Sequence, residues 1–233
     1  TSDTPVYKKS ENLFGINFAK SVCSERVILV EGNMDVISLH QAGFENTVAP
    51  LGTAFTTEQA NLLSRYTKEI VLMLDADAAG QKAVRRASGL RENTGLSVRV
   101  VVVPDGKDPD EYIKKNGKER FAALLEGAVS DMEYKLLTVA KDIDLNSEDG
   151  RLKYLAAAAE IIAATDDIMT RDIYIGRLSE KYGVSRTALN ARIDELRKRN
   201  SRQKQKKEIT DIIRPKFTKD DINPERRKSV KGT

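Results

Sequence analysis

Glu31, Asp75, Asp77, Asp108 and Asp110 are the residues of this 233-residue chain whose types and spacing could do chemistry. Each follows a short apolar run. VILV (27–30) leads into Glu31 and Asp35, IVLML (70–74) into Asp75 and Asp77, and VRVVVV (98–103) into Asp105, Asp108 and Asp110. One such junction is a solvated strand end, whereas three suggest a shared site. Carboxylates brought together repel and raise one another's pKa unless a cation neutralises them. Oxygen donors without His or Cys suit Mg²⁺, with Mn²⁺ as a substitute, better than zinc. Mg²⁺ binds substrate phosphates through a few carboxylates, so the chemistry implied is phosphoryl transfer or phosphodiester chemistry. Gly32, Ala76, Ala78, Ala79, Gly80 and Gly106, interleaved with the acids, leave room for a bulky phosphate-bearing substrate.

Those acids need elements that bring them to one edge. The runs at 27–30, 47–51, 70–74 and 98–103 are short, β-branched and apolar throughout, as strands buried on both faces are. Helical patterns lie between them, at Met34–Gln41, Thr57–Tyr66 and Gly80–Glu92, with Thr56 or Thr57 as an N-cap and Gly43 and Gly95 at helix ends. Strand–helix alternation predicts a parallel α/β sheet with right-handed crossovers, and ligands bind at the carboxyl ends of such strands. After Asp110 the pattern is helical: 110–128 with a break at Gly117, then 131–143, 148–164, 167–182 and 186–199. Ser185 caps the last, where Leu189, Ile193 and Leu196 share a face. The division expected is a leading segment at 1–24, an α/β catalytic subdomain at 25–128, a small all-α bundle at 129–200 and a basic, flexible tail at 201–233.

Composition excludes several classes. With 40% hydrophobic and 32% charged residues the chain reads as an ordinary soluble globular protein. No apolar run approaches the ~20 residues of a membrane span, and TSDTPVYKKS carries no signal-peptide core, so a cytoplasmic setting is expected. One cysteine, Cys23, and one histidine, His40, provide neither an internal disulfide nor a structural zinc site. They read as local packing and as helix surface. DADAAG imitates the start of a calcium loop, but its twelfth position is Arg86 where a bidentate Glu is needed. No P-loop, dinucleotide fingerprint or nucleophile elbow is present. From Arg197 to Thr233 there are 14 Lys and Arg against 5 Asp and Glu, a net of +9, which leaves −5 on residues 1–196. A basic tail can touch nucleic acid or serve as a solvated linker.

E-G-x-x-D at Glu31–Asp35 followed by D-x-D at Asp75–Asp77 resembles the Toprim module of primases, topoisomerases and repair proteins. LVEGNMDVISLHQAGFENTVAPLGTAFT, LDADAAGQKAVRRA and VPDGKDPDEYI are similar, in that order, to bacterial replicative primases of the DnaG type. The resemblance spans about residues 27–115. It implies a Toprim fold, a Rossmann-like parallel sheet flanked by helices, followed by the helical bundle. It also implies a DNA primase, a nucleotidyltransferase making short RNA primers on single-stranded DNA from ribonucleoside triphosphates by two-metal phosphoryl transfer. By the same resemblance Glu31, Asp75 and Asp77 are catalytic, and Glu31 is a metal ligand or the proton acceptor. Asp75, Asp77, Asp108 and Asp110 hold the ions, and Asp35, Gly32 and Gly80 support them. Lys82, Arg85 and Arg86 are candidates for nucleotide or template phosphates.

The family's zinc-binding domain has no counterpart here, and only the end of its basic subdomain could fit in residues 1–24. The replicative helicase is expected to bind through a C-terminal domain absent from this chain. A monomeric fragment of the catalytic core is therefore expected, one that binds metal and primes poorly by itself. The alternative is a non-catalytic DNA-binding module, either a repair-type Toprim protein or a helix-turn-helix at YGVSRTALNARIDEL (182–196).

Overall fold

Strands that are apolar on every residue are stable only if both faces are covered. The computed structural model shows that arrangement. It describes residues 3–5, 7–74, 83–84, 86–89, 94–104 and 108–213, with the backbone alone at 74, 204 and 207–213. The chain divides into two compact units, Thr1–Thr138 and Val139–Thr233.

The first unit is built on β1 (Leu13–Phe14), β2 (Arg26–Leu29), β3 (Thr47–Pro50), β4 (Glu69–Leu74), β5 (Ser97–Val102) and β6 (Val129–Ser130). Their order across the sheet is β1-β3-β2-β4-β5-β6. The four inner strands are parallel, and the two short edge strands are antiparallel to β3 and β5. Alternate residues feed opposite faces. Val27, Leu29, Ile70, Leu72, Val98 and Val100 pack with Ala60 and Leu63 of helix α3 (Thr57–Leu63). Ile28, Val30, Val71, Met73, Val101 and Val103 pack with α2 (Asn33–Gln41) and α4 (Pro109–Glu126). The α/β fold expected from the sequence is borne out, with two edge strands that it did not anticipate.

The leading segment carries more structure than its sequence suggested. It includes β1, α1 (Ile16–Ala19) and a 3-10 turn at Lys9–Glu11. Thr56 and Gln59 form a capping box at the start of α3. From the same place Gln59, fully buried, donates to the carbonyls of Lys9 at 2.9 Å and Asn12 at 2.7 Å, and Thr56 donates to that of Ser10 at 2.6 Å. Cys23 is buried in the same core, and burial pushes its thiol pKa up. His40 is half-buried rather than on an open helix surface, with Nε2 2.9 Å from the Thr47 carbonyl.

α4 is interrupted at Gly117, whose φ of 82° and ψ of 175° are confined to glycine. The break expected there is observed, and Phe121, beyond it, lies at 0% exposure with its ring 4.8 Å from that of Phe44. The expected helix at 80–92 falls largely outside the described residues, and 83–84 and 86–89 are helical.

α5 (Asp131–Lys141) leads out of the first unit. In the second, α6 (Glu148–Ala163), α7 (Ile168–Tyr182) and α8 (Arg186–Ile213) pack on one another. Ser147 and Asp167 cap the first two, accepting from Gly150 N–H at 3.0 Å and Thr170 N–H at 2.9 Å. Gly183, left-handed at φ 67°, ends α7. Leu189, Ile193 and Leu196 are buried, so the helix considered for DNA recognition spends that face on the bundle. Arg197 donates to the carbonyls of Ala163 at 3.0 Å and Thr165 at 2.8 Å, satisfying the end of α6. α8 continues to Ile213, past Asn200 where the flexible tail was expected, because Lys, Arg, Gln and Glu are good helix formers.

Candidate active site

The topology places the strands that lead into the acidic segments side by side. β2 pairs with β4 and β4 with β5, so the carboxyl ends of the strands preceding Glu31, Asp75 and Asp108 are neighbours. The crossover from β2 goes to β3 on one side and that from β4 to β5 on the other. Connections diverging in this way open a crevice at the carboxyl edge, where ligands of open α/β sheets bind.

Glu31 is exposed at the end of β2. Gly32 then begins α2, and Asp35, in its first turn, folds back so that its Oδ2 accepts from Gly32 N–H at 3.1 Å. A Cβ at Gly32 would stand 2.9 Å from that oxygen, so any larger residue would force the carboxylate away. The other oxygen of Asp35 accepts from Asp110 N–H at 3.2 Å. One carboxylate, 8% exposed, therefore fastens the Glu31 turn to the start of α4.

Asp108 is the N-cap of α4, accepting from Glu111 N–H at 2.7 Å, and Pro109 occupies the first helical position. Asp110 accepts from Lys114 Nζ at 2.7 Å and from Ser38 Oγ. The Lys114 ammonium first, and the Ser38 hydroxyl second, hold its carboxyl below the usual carboxylate range. The positive end of the α4 dipole adds to the attraction for negative charge. Ser38 and Lys114 were not foreseen. Lys114 stands four residues after Asp110 and could have been read as a helix pair, but Ser38 carries no local signal.

Glu31, Gly32, Asp35, Asp108 and Asp110 thus lie on two segments joined by Asp35. Arg86 is exposed in the helical stretch 86–89. Asp75, Asp77, Gly80, Lys82, Arg85 and Asp105 lie outside the described residues. Among the described residues no group of three or more His, Cys, Asp and Glu could hold a metal ion. The oxygen-only donor set fits a hard divalent cation. Glu31, which is exposed, would offer it a carboxylate, and Asp108 and Asp110 would have to share oxygens that now bond to a backbone N–H, a hydroxyl and an ammonium.

Residues 28–113 match a family model described as Toprim-like, and residues 132–187 one described as the DnaB-helicase binding domain of primase. The DNA primase of Clostridium acetobutylicum is 43% identical over 188 residues, which is 80% of this chain and 31% of that protein. The chain belongs to the bacterial DnaG-type primase family. The RNA polymerase domain of Mycobacterium tuberculosis primase DnaG, solved with double-stranded DNA, aligns with a TM-score of 0.71 at 30% identity, covering 79% of this chain and 61% of that one. A DnaG primase catalytic domain bound to single-stranded DNA aligns at 0.62 and 31% identity, covering 77% and 59%. The chain spans about a third of the length of that curated relative. The second match changes one expectation. A stretch matching the helicase-binding model lies within the chain, whereas the helicase contact is expected from the sequence in a domain absent from it.

Proposed function

We propose that this chain supplies the catalytic Toprim part of a DNA-dependent RNA polymerase that makes short RNA primers on single-stranded DNA. The observation that carries the reading is the bridge from Asp35 to both Gly32 and Asp110, which joins two acidic segments beside the strand that precedes the third. In this reading residues 25–128 are the catalytic subdomain, 129–200 the helical one and 201–233 a basic extension. Glu31, Asp75, Asp77, Asp108 and Asp110 would hold Mg²⁺ or Mn²⁺, which would supply positive charge to offset that on the attacking and leaving oxygens.

The reaction joins a primer 3′-oxygen to the α-phosphorus of a ribonucleoside triphosphate. The bond from that phosphorus to the β-phosphate bridging oxygen breaks, and pyrophosphate leaves with the electron pair. The hydroxyl proton passes to Glu31 or to solvent. Asp35 keeps the Glu31 turn and the α4 terminus in one geometry, and Lys114 balances Asp110 when no cation is bound. Arg86, with Lys82 and Arg85, contacts nucleotide or template phosphates. The 132–187 stretch meets the replicative helicase, in the bacterial cytoplasm.

A crystal soaked in Mn²⁺ tests the site. Anomalous density should touch Asp75 and at least one of Asp77, Asp108 or Glu31, and density elsewhere alone would sink the assignment. In the intact enzyme Asp75→Ala should abolish primer synthesis and leave the circular dichroism spectrum unchanged.

A further inference from the structure

α8 outruns the bundle that it helps to build. After Leu196 its face toward the core ends, and every described side chain from Lys198 to Lys206 is exposed. No apolar residue stands between Arg197 and Lys207. A helix that is polar all round adds nothing to a core, and its use lies in what it presents. Here it presents positive charge. Lys198, Arg202 and Lys206 recur at every fourth residue on one face, about 6 Å apart along the axis. Arg199 flanks them, and these residues line a shallow groove of about 480 Å³ with Glu195 and Gln203. Glu195 is held by Arg192 at 2.8 Å, and Arg199 reaches Glu160 at 3.6 Å. The stripe lies outside both stretches matched by family models.

We propose that this face of α8 binds the sugar–phosphate backbone of single-stranded nucleic acid, without reading its sequence. The choice of partner rests on the primer-synthesis reading and on charge complementarity. A strand carries regularly spaced phosphates, and a row of cations following a helix axis matches a line of anions. The segment has no aromatic side chain on which bases could stack, so its contribution is electrostatic and falls with salt.

The test measures binding of a labelled oligothymidylate to the full chain by fluorescence anisotropy over a salt series, for the wild type and for K198Q/R202Q/K206Q. Glutamine keeps the helix and removes three charges. With a slope of about 0.7 per phosphate contact, the variant's dependence on salt should flatten by about 2. Over a roughly fourfold rise in salt it should then lose about 16-fold less affinity than the wild type. K198R/K206R should behave as the wild type, because charge is what acts. An unchanged slope and affinity in the triple variant would overturn the proposal, as would absence of binding by the wild type. Preference of the stripe for an acidic peptide over the oligonucleotide in competition would also overturn it. Mn²⁺ titration of the same proteins separates the two readings. Failure of the wild type to bind Mn²⁺ refutes the catalytic reading, and the anisotropy result stands apart from it.

Discussion

Asp35 carries more of the site geometry than its position in a motif would suggest. Its two oxygens accept backbone N–H groups from Gly32, three residues before it, and from Asp110, 75 residues after it, and it is nearly buried. In Asp35→Asn the amide nitrogen would face one of those N–H donors, so we expect a loss of about 1–3 kcal/mol in urea unfolding, with weaker Mn²⁺ binding by calorimetry. Asp110 gives a pH signature. Its folded pKa is depressed, so its contribution is present above the unfolded value of about 3.9 and is lost as the pH falls through the lower folded value. In Lys114→Met that acid limb should move toward higher pH, while neutral-pH stability changes by less than about 1 kcal/mol because Lys114 is largely exposed. The acids were legible in the sequence through their positions after apolar runs. It did not show Ser38, because a serine on the inner face of a helix has no local mark that a partner lies on a distant element.

At the scale of elements, periodicity made the inner strands and most helices legible. Short β-branched runs apolar at every position fit strands buried on both faces, and the two cores on either side of the sheet are the physical form of that pattern. β1 and β6, two residues each, were beyond reach, since so short a strand has no period and exists only because its neighbour's edge is open. Gly117 was readable as a break, and its conformation makes it a sharp test. Gly117→Ala should lower stability by about 1–3 kcal/mol by thermal unfolding, since its dihedrals suit glycine alone. Phe121→Ala, which empties the centre of one core, should lower it by about 3–5 kcal/mol in chemical denaturation. The extent of α8 was not legible from apolar spacing because its outer part has none. Helix propensity in a lysine- and glutamine-rich run was the available signal.

For the whole molecule, two compact units imply that stability need not be a single quantity. Arg197 joins the end of α6 to α8 wholly within the second unit. Arg197→Ala should therefore raise amide exchange across α6–α8 and leave β2, β4 and β5 unchanged, as read by hydrogen–deuterium exchange. The sole cysteine offers a means of timing the other unit. Cys23 sits at 0% exposure with a thiol that burial keeps protonated. An alkylating reagent can reach it only when the packing around the strands parts, so the rate of adduct formation counts those excursions one by one. A cation that clamps the acidic edge should make them rarer, and mass spectrometry of a single adduct would register its arrival with no nucleotide in the tube.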